Sequence, residues 1–440
     1  AGNLLGVALT GLVVVVALAL VAAPWLMDLL TVGVADPVTR EAQRELGTFL
    51  LWFFLPQVLL YAVGAVATAL LHADRRFVAA ALAPVFNNVV VIGAMAVFWG
   101  MHGDDPSLDL SLAEKVVLGG GATLGVLAMT LVPWVAAGRA RMLLRPRWAP
   151  RDPRLRPLVA QGLWAAGHLG LHQLFAMATV VVAGGIIGGV VAYQIAFTFF
   201  LLPYALLANP LTTTIYPRLA AGAAAGHTDE VRDDLSWGVT SLAFVLVPAA
   251  FLMAALARPI LEVVRIGNLD EAGADLVSVA LSGYMAGLVG YGLSFLLTRA
   301  SYALGDTRVP TLISLAATSA GVVGLVVGTS IVEGTARIVV LGLVHAAVVS
   351  TSALVLARVL RPRLGTLGAT SALVRDTACG AVAGAIAWGT AALVGTDSRA
   401  ASLAALALGG LLGAIAYLGA QLAAGSDELR SLKALGGSAR

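Results

Sequence analysis

The apolar residues of this chain fall in runs of about 20 or more, and that feature restricts its fold more than any other. A run of that length crosses a hydrocarbon core of about 30 Å as a helix. In lipid the backbone must satisfy its own hydrogen bonds, so only helices and closed barrels can cross. Alternating strand patterns are absent, which excludes a barrel. Composition agrees: 59% of residues are hydrophobic and 12% are Asp, Glu, Lys or Arg. A soluble domain carries about 25% charged residues. The mean hydropathy is +0.93. The 49 glycines suit transmembrane helices, whose backbones approach closely through small residues. The single cysteine, Cys379, rules out an intrachain disulfide and a cysteine-based zinc or iron–sulfur site.

Reading apolar runs between charged or Pro/Gly breaks predicts about twelve spans. They are 4–31, 46–73, 77–101 and 111–137, then 157–185, 189–217, 235–257, 271–303, 309–331 and 335–360, and finally 371–395 and 400–424. A basic linker, 138–156, follows the fourth span, and a polar tail, 425–440, follows the last. Of the 27 Lys and Arg residues, 20 fall in alternate loops and the tail, and 7 in the other loops. The positive-inside rule then puts both ends in the cytoplasm. The linker reads as an ordinary positive-inside anchor or as an amphipathic element on anionic headgroups. Net charge of +3 therefore gives no reason to expect nucleic acid.

An internal repeat appears at an offset of 230: Tyr61 and Tyr291, Thr68 and Thr298, Ala73 and Ala303. Each series ends in a short polar turn, His72 to Arg76 in one and Ala303 to Arg308 in the other. Pro24 and Pro259 each precede a short apolar stretch, ending at Gly33 and Gly267. Such a repeat is the plan of many transporters. The predicted fold is an all-α polytopic membrane protein with two pseudo-symmetric lobes and an appended C-terminal helix pair. The lobes are 1–137 and 157–363, and the pair is 364–424. Pairing the repeats leaves 157–185 and 189–217 without N-terminal counterparts, and the chain opens on Ala1 rather than Met. Two further helices upstream are therefore expected.

Three motifs carry a family resemblance. Leu70-Leu71-His72-Ala73-Asp74-Arg75-Arg76-Phe77, then Ala83-Pro84-Val85-Phe86-Asn87-Asn88, resembles the "LNA-x-x-RF…AP-x-x-x-N" signature of the MurJ/MviN lipid II flippases. Ser301-Tyr302-Ala303-Leu304-Gly305-Asp306-Thr307-Arg308-Val309-Pro310 resembles their "FYA-x-GDT-x-TP" turn. Tyr216-Pro217-Arg218-Leu219, then Gly226 to Glu230, resembles "LP-x-L…G-x-x-DE". The similarity runs from Ala1 to about residue 363. It makes Arg76, Phe77, Pro84, Gly305, Asp306 and Pro310 the motif positions. It implies a flippase for lipid II or a related polyprenyl-pyrophosphate lipid, working by alternating access in the bacterial cytoplasmic membrane, with membrane lipids and cell-wall synthesis proteins as partners. It implies no cofactor. One departure is plain. Characterised Gram-negative members have an Asp-Arg pair about five residues before the proline of the 189–217 helix, where this chain has Phe197 and Thr198 before Pro203.

Ionisable and polar groups at bilayer depth are costly and so are functional candidates. His168 and His172, spaced i and i+4, share one helix face. They read as cavity-lining or helix-contact histidines, since no third ligand suggests a metal. Arg299 either snorkels to the headgroups or faces a central cavity, where it could hold a pyrophosphate. Asn87, Asn88, Gln194, Thr198 and Thr298 are candidate hydrogen-bonders, as are Gln161 and Asn209. Pro84, Pro133, Pro203, Pro210 and Pro248 interrupt apolar spans and predict kinks. The deep spans lack a clear carboxylate, since Asp28, Glu262 and Asp306 fall near interfaces. No phosphate-binding loop, Ser/His/Asp triad or paired-carboxylate constellation suggests enzymatic chemistry. The alternatives are a multidrug exporter of the same superfamily, a flippase for another undecaprenyl-linked polymer, and a non-transporting scaffold for cell-wall enzymes.

Overall fold

A computed structural model describes residues 2–74, 76–103, 107–142, 148, 155–265, 270–426 and 428–429. Most of the basic linker, most of the tail, Arg75 and Gly267 lie outside the described residues. The described chain forms two compact units, Ala1–Ala160 and Gln161–Arg440.

The first unit holds α1 (Gly2–Leu30), α2 (Pro37–Phe54), α3 (Gln57–Ala73), α4 (Val78–His102) and α5 (Leu112–Arg139). Their starts follow local chemistry. Asp36 caps α2 through the Thr39 N–H at 2.8 Å, with Pro37 in the first turn. The Thr39 hydroxyl and then its backbone N–H donate to the Asp36 carboxyl and hold it below its ordinary value. Ser111 and Glu114 form a capping box at α5. Glu114 also meets His102 Nδ1 at 2.9 Å and so ties the end of α4 to the start of α5. The most buried helix of this unit is α5. Thr130 Oγ1 donates to the Leu60 carbonyl at 3.1 Å, and Gln57 Nε2 donates to Thr123 Oγ1 at 2.8 Å.

The second unit begins in α6 (Leu155–Ala183) and continues with α7 (Gly189–Pro203), a π turn (Tyr204–Ala208), α8 (Asn209–Ala225) and α9 (Thr228–Ala255). Then come α10 (Ala257–Val264), α11 (Glu271–Met285), α12 (Leu288–Ala303), α13 (Arg308–Ile331) and α14 (Ala336–Leu364). The appended pair, α15 (Thr370–Val394) and α16 (Arg399–Ala423), packs on α9 and on itself. Among the described residues, eleven helices are long and apolar enough to cross a membrane, or twelve if the bent pair α11–α12 is one span.

The span count agrees with the sequence reading, and the boundaries differ in four places. The second span begins at Pro37 and breaks at Leu55–Pro56. The sixth runs on to Ala225, absorbing Pro203 in a π turn. The seventh begins at Thr228, whose first turn is charged. The eighth bends by 47° between Met285 and Leu288. Charge and proline count against a span in sequence, whereas helix continuity is decided by packing beyond the bilayer.

The repeat is visible in the backbone. Arg76 N–H donates to the Leu71 carbonyl at 2.8 Å, and 230 residues later Asp306 N–H donates to the Ser301 carbonyl at 2.9 Å. Both are six-to-one helix-ending bonds. Gly305 takes the left-handed conformation that this ending requires, with φ of 80°. The Asp306 carboxylate then accepts from Val309 N–H at 3.0 Å, and Pro310 sits in the first turn of α13, where it removes no helical bond. The "GDT" motif is thus a stop and a start for consecutive helices.

Large apolar side chains such as Leu18, Val21, Trp25, Ile92 and Trp388 are exposed, as expected of a lipid-facing surface. The core of the second unit is ring-rich. Phe200 and Tyr284 are fully buried with centroids 5.9 Å apart, against Tyr193, Phe197 and Tyr291. Small residues let α14 approach α11 and α12. A Cβ on Gly342 would lie 2.6 Å from the Gly283 carbonyl carbon and from Tyr284 N. Gly342→Ala should therefore force these helices apart and lower stability by about 1–3 kcal/mol, measured by thermal unfolding in detergent. Gly389→Ala, which meets nothing within 4 Å, should not.

Candidate functional site

Three of the sequence candidates meet inside the second unit. His168 and His172 from α6 and Thr298 from α12 line one small cavity. Ser294 of α12, Ser314 and Thr318 of α13 and Ser352 of α14 complete its polar wall. His168 is buried and its Nδ1 lies 2.8 Å from Ser314 Oγ. The His168 and His172 rings meet edge-on with centroids 4.9 Å apart, as the i, i+4 spacing requires. The space available to water is about 20 Å³, enough for roughly one molecule. The wall sets these hydroxyls and imidazoles among Phe295, Ala317, Val348, Val349 and Leu356, without carboxylate or guanidinium.

The other candidates sit elsewhere. Arg299, next to Thr298, is half-buried and does not line the cavity; its guanidinium lies 5.4 Å over the Phe295 ring. That contact offsets part of the cost of holding a cation at this depth. Gln194 and Thr198 occupy the exposed face of α7, where Thr198 Oγ1 donates to the Gln194 carbonyl at 2.8 Å. Asn87 and Asn88 belong to the first unit. Asn87 packs on α5 at Gly125, and Asn88 is exposed near the middle of α4. Arg76 pairs with Asp74 at 2.7 Å, and Phe77 stacks on His72 at 5.2 Å, so these motif residues shape the turn between α3 and α4. Pro84 is exposed within α4.

Two buried ionisable groups escaped the sequence reading. His345, in the middle of α14, is ringed by Phe197, Phe200 and Tyr284 at 5.3 to 5.6 Å, and its Nε2 has no partner. Asp376, in the second turn of α15, is completely buried. An ionisable residue inside an apolar run was the available signal for both.

A wider groove of about 860 Å³ runs along α12 and α14 to the start of α15. Its walls include Val289, Leu293, Leu297, Leu354 and Leu373, and Arg358 and Arg361 also line it. Apolar walls with two guanidiniums suit an amphiphile bearing an anionic head.

The interhelix bond at the cavity can be tested directly. Ser314→Ala should leave His168 Nδ1 unpaired and cost about 0.6–1.7 kcal/mol in thermal unfolding. Ser352→Ala should stay near wild type, because its hydroxyl bonds only the Val348 carbonyl of its own helix, at 2.8 Å.

Comparison with known proteins bears on what these features serve. The sequence profile described as "Lipid II flippase MurJ" matches residues 1–407. A probable lipid II flippase MurJ of Vibrio cholerae is 27% identical over 297 residues, covering 66% of this chain and 53% of that protein. The Haemophilus influenzae counterpart is 28% identical over 284 residues, covering 62% and 53%. The chain thus spans about half the length of the curated relatives it matches. Among solved structures, a lipid II flippase MurJ in an inward closed conformation superposes with a TM-score of 0.69 at 17% identity, covering 95% of this chain and 82% of that one. An inward-facing multidrug MATE transporter superposes at 0.66 with 13% identity, covering 84% and 82%. The two structures establish the fold, which exporters and flippases share, and the profile match distinguishes between them: this chain is a multi-pass membrane protein that belongs to the lipid II flippase MurJ family.

Proposed function

We propose that this chain serves a flippase that moves lipid II across the bacterial cytoplasmic membrane. The observation that carries the reading is the family match, which runs through both compact units. The groove beside α12 and α14 supports it, since an isoprenoid tail fits its apolar walls and a diphosphate fits Arg358 and Arg361. Asn88, Gln194 and Thr198 are polar, exposed and at bilayer depth, where such groups mark a water-lined path. Arg299, held over the Phe295 ring in the same unit, is a further cation in the span that the substrate's anionic head could meet. Both ends of the chain lie on the cytoplasmic side in this reading, which the excess of Lys and Arg in alternate loops supports. The chemistry is translocation, with no bond made or broken.

Depleting the protein should stop lipid II from reaching the outer leaflet of spheroplasts and should leave drug efflux intact. Unchanged translocation would sink the assignment. Replacing both Arg358 and Arg361 by Ala should weaken lipid II binding about tenfold or more, the loss expected for one charge-assisted hydrogen bond of about 1.5–3 kcal/mol. Binding of a neutral polyprenol should be unaffected.

A further inference from the structure

Asp376 lies in the second turn of α15 with its side chain wholly buried. Its Oδ1 accepts from Gln421 Nε2 of α16 at 2.7 Å and from Arg375 Nη2 and Nε at 3.0 and 3.2 Å. Arg375 also donates to Glu428 at 2.6 Å. Gln421 Nε2 donates in addition to Tyr417 Oη at 2.9 Å, and Tyr417 Oη donates to the Phe244 carbonyl of α9 at 2.8 Å. One polar chain thus joins α15, α16 and α9. Two oxygens in it are left over: Asp376 Oδ2 and Gln421 Oε1 are buried and have no partner. Both belong to side chains already in contact. Turning the Gln421 amide over would not help. Its oxygen would then face Asp376 Oδ1 and a Tyr417 hydroxyl whose one proton is committed to Phe244.

We propose that Asp376 is a proton-binding site, with the proton held on Oδ2 and donated to Gln421 Oε1. Acid and amide then pair through two hydrogen bonds, Nε2–H to Oδ1 and Oδ2–H to Oε1. A single proton, taken from solvent, satisfies both leftover oxygens and neutralises a carboxylate whose second oxygen is buried without a partner. A metal ion is a poorer occupant, because the site presents two free oxygens and holds a guanidinium beside them. Arg375 keeps a carboxylate partner in Glu428 when Asp376 is neutral. The groups facing the site are Arg375 and Cys379 on α15 itself, Tyr417 and Gln421 on α16, Glu428 just beyond it, and the Phe244 carbonyl on α9. Through Gln421 and Tyr417 the site is joined to the Phe244 carbonyl of α9, so the same polar chain ties the appended pair to the rest of the unit.

Infrared spectra of the full chain in lipid nanodiscs test this. At neutral pH the wild type should show a protonated-carboxyl C=O band that disappears as pH rises. The band should be absent from Asp376→Asn and shifted in Gln421→Leu. Asp376→Asn, which copies the neutral acid and can donate to Gln421 Oε1, should keep the wild-type melting temperature, while Asp376→Leu should lose it. A neutral-pH spectrum in which no acid band titrates overturns the proposal. So does an Asp376→Asn protein that fails to fold or melts with Asp376→Leu, since either result shows that the charged form is required.

Discussion

Every feature of this molecule depends on the fact that lipid supplies no hydrogen-bond partner to the backbone. Long helices are the answer within one segment, and they leave association between segments to packing, because lipid tails are as apolar as leucine. The contacts of α14 with α11 and α12 show how the fold meets that demand. Gly342 lies against Gly283, Gly287 against Ala346, and Gly290 against Ser350, each at a distance that a larger residue would prevent. The bend between α11 and α12 falls in this strip, so the line of small residues holds a broken helix against a continuous one.

Polar groups in the spans fall into two sets. Most hydroxyls turn back on their own helix, as Thr179 does to the Phe175 carbonyl at 2.9 Å, and tie nothing together. A smaller set crosses between helices. Thr130 reaches the Leu60 carbonyl, Ser314 reaches His168, and Asp376, Gln421 and Tyr417 form a line to Phe244. These crossings fix which helix faces which, where apolar surfaces would tolerate sliding. In the proposed flippase they are the contacts that a conformational change must preserve or break.

The two units share a device at the turn between consecutive helices. Each stops a helix with a six-to-one bond at positions 230 residues apart. In the second unit Gly305, Asp306 and Pro310 end one helix, cap the next and fill its first turn. The motifs that carried the family resemblance thus combine backbone geometry with side-chain contacts such as Arg76 to Asp74, Phe77 to His72 and Arg308 over Trp164.

By itself the sequence determined the fold class, the number of spans and the family, because each rests on local properties: run length, charge placement and short motifs. Tertiary structure alone decided which polar residues meet. Of the cavity candidates, His168, His172 and Thr298 share a wall, while Gln194 and Thr198 share an exposed face and Asn88 lies in the other unit. Ser294, Ser314, Thr318 and Ser352 were invisible as a group, since a serine in an apolar helix looks the same whether it bonds its own carbonyl or a neighbour's side chain. Asp376 makes the same point more sharply. Nothing local in the sequence marks it as buried, and only the rotation of α15 against α16 and α9 buries its carboxylate completely. Helix rotation is set by packing between segments distant in sequence, and no local pattern encodes it.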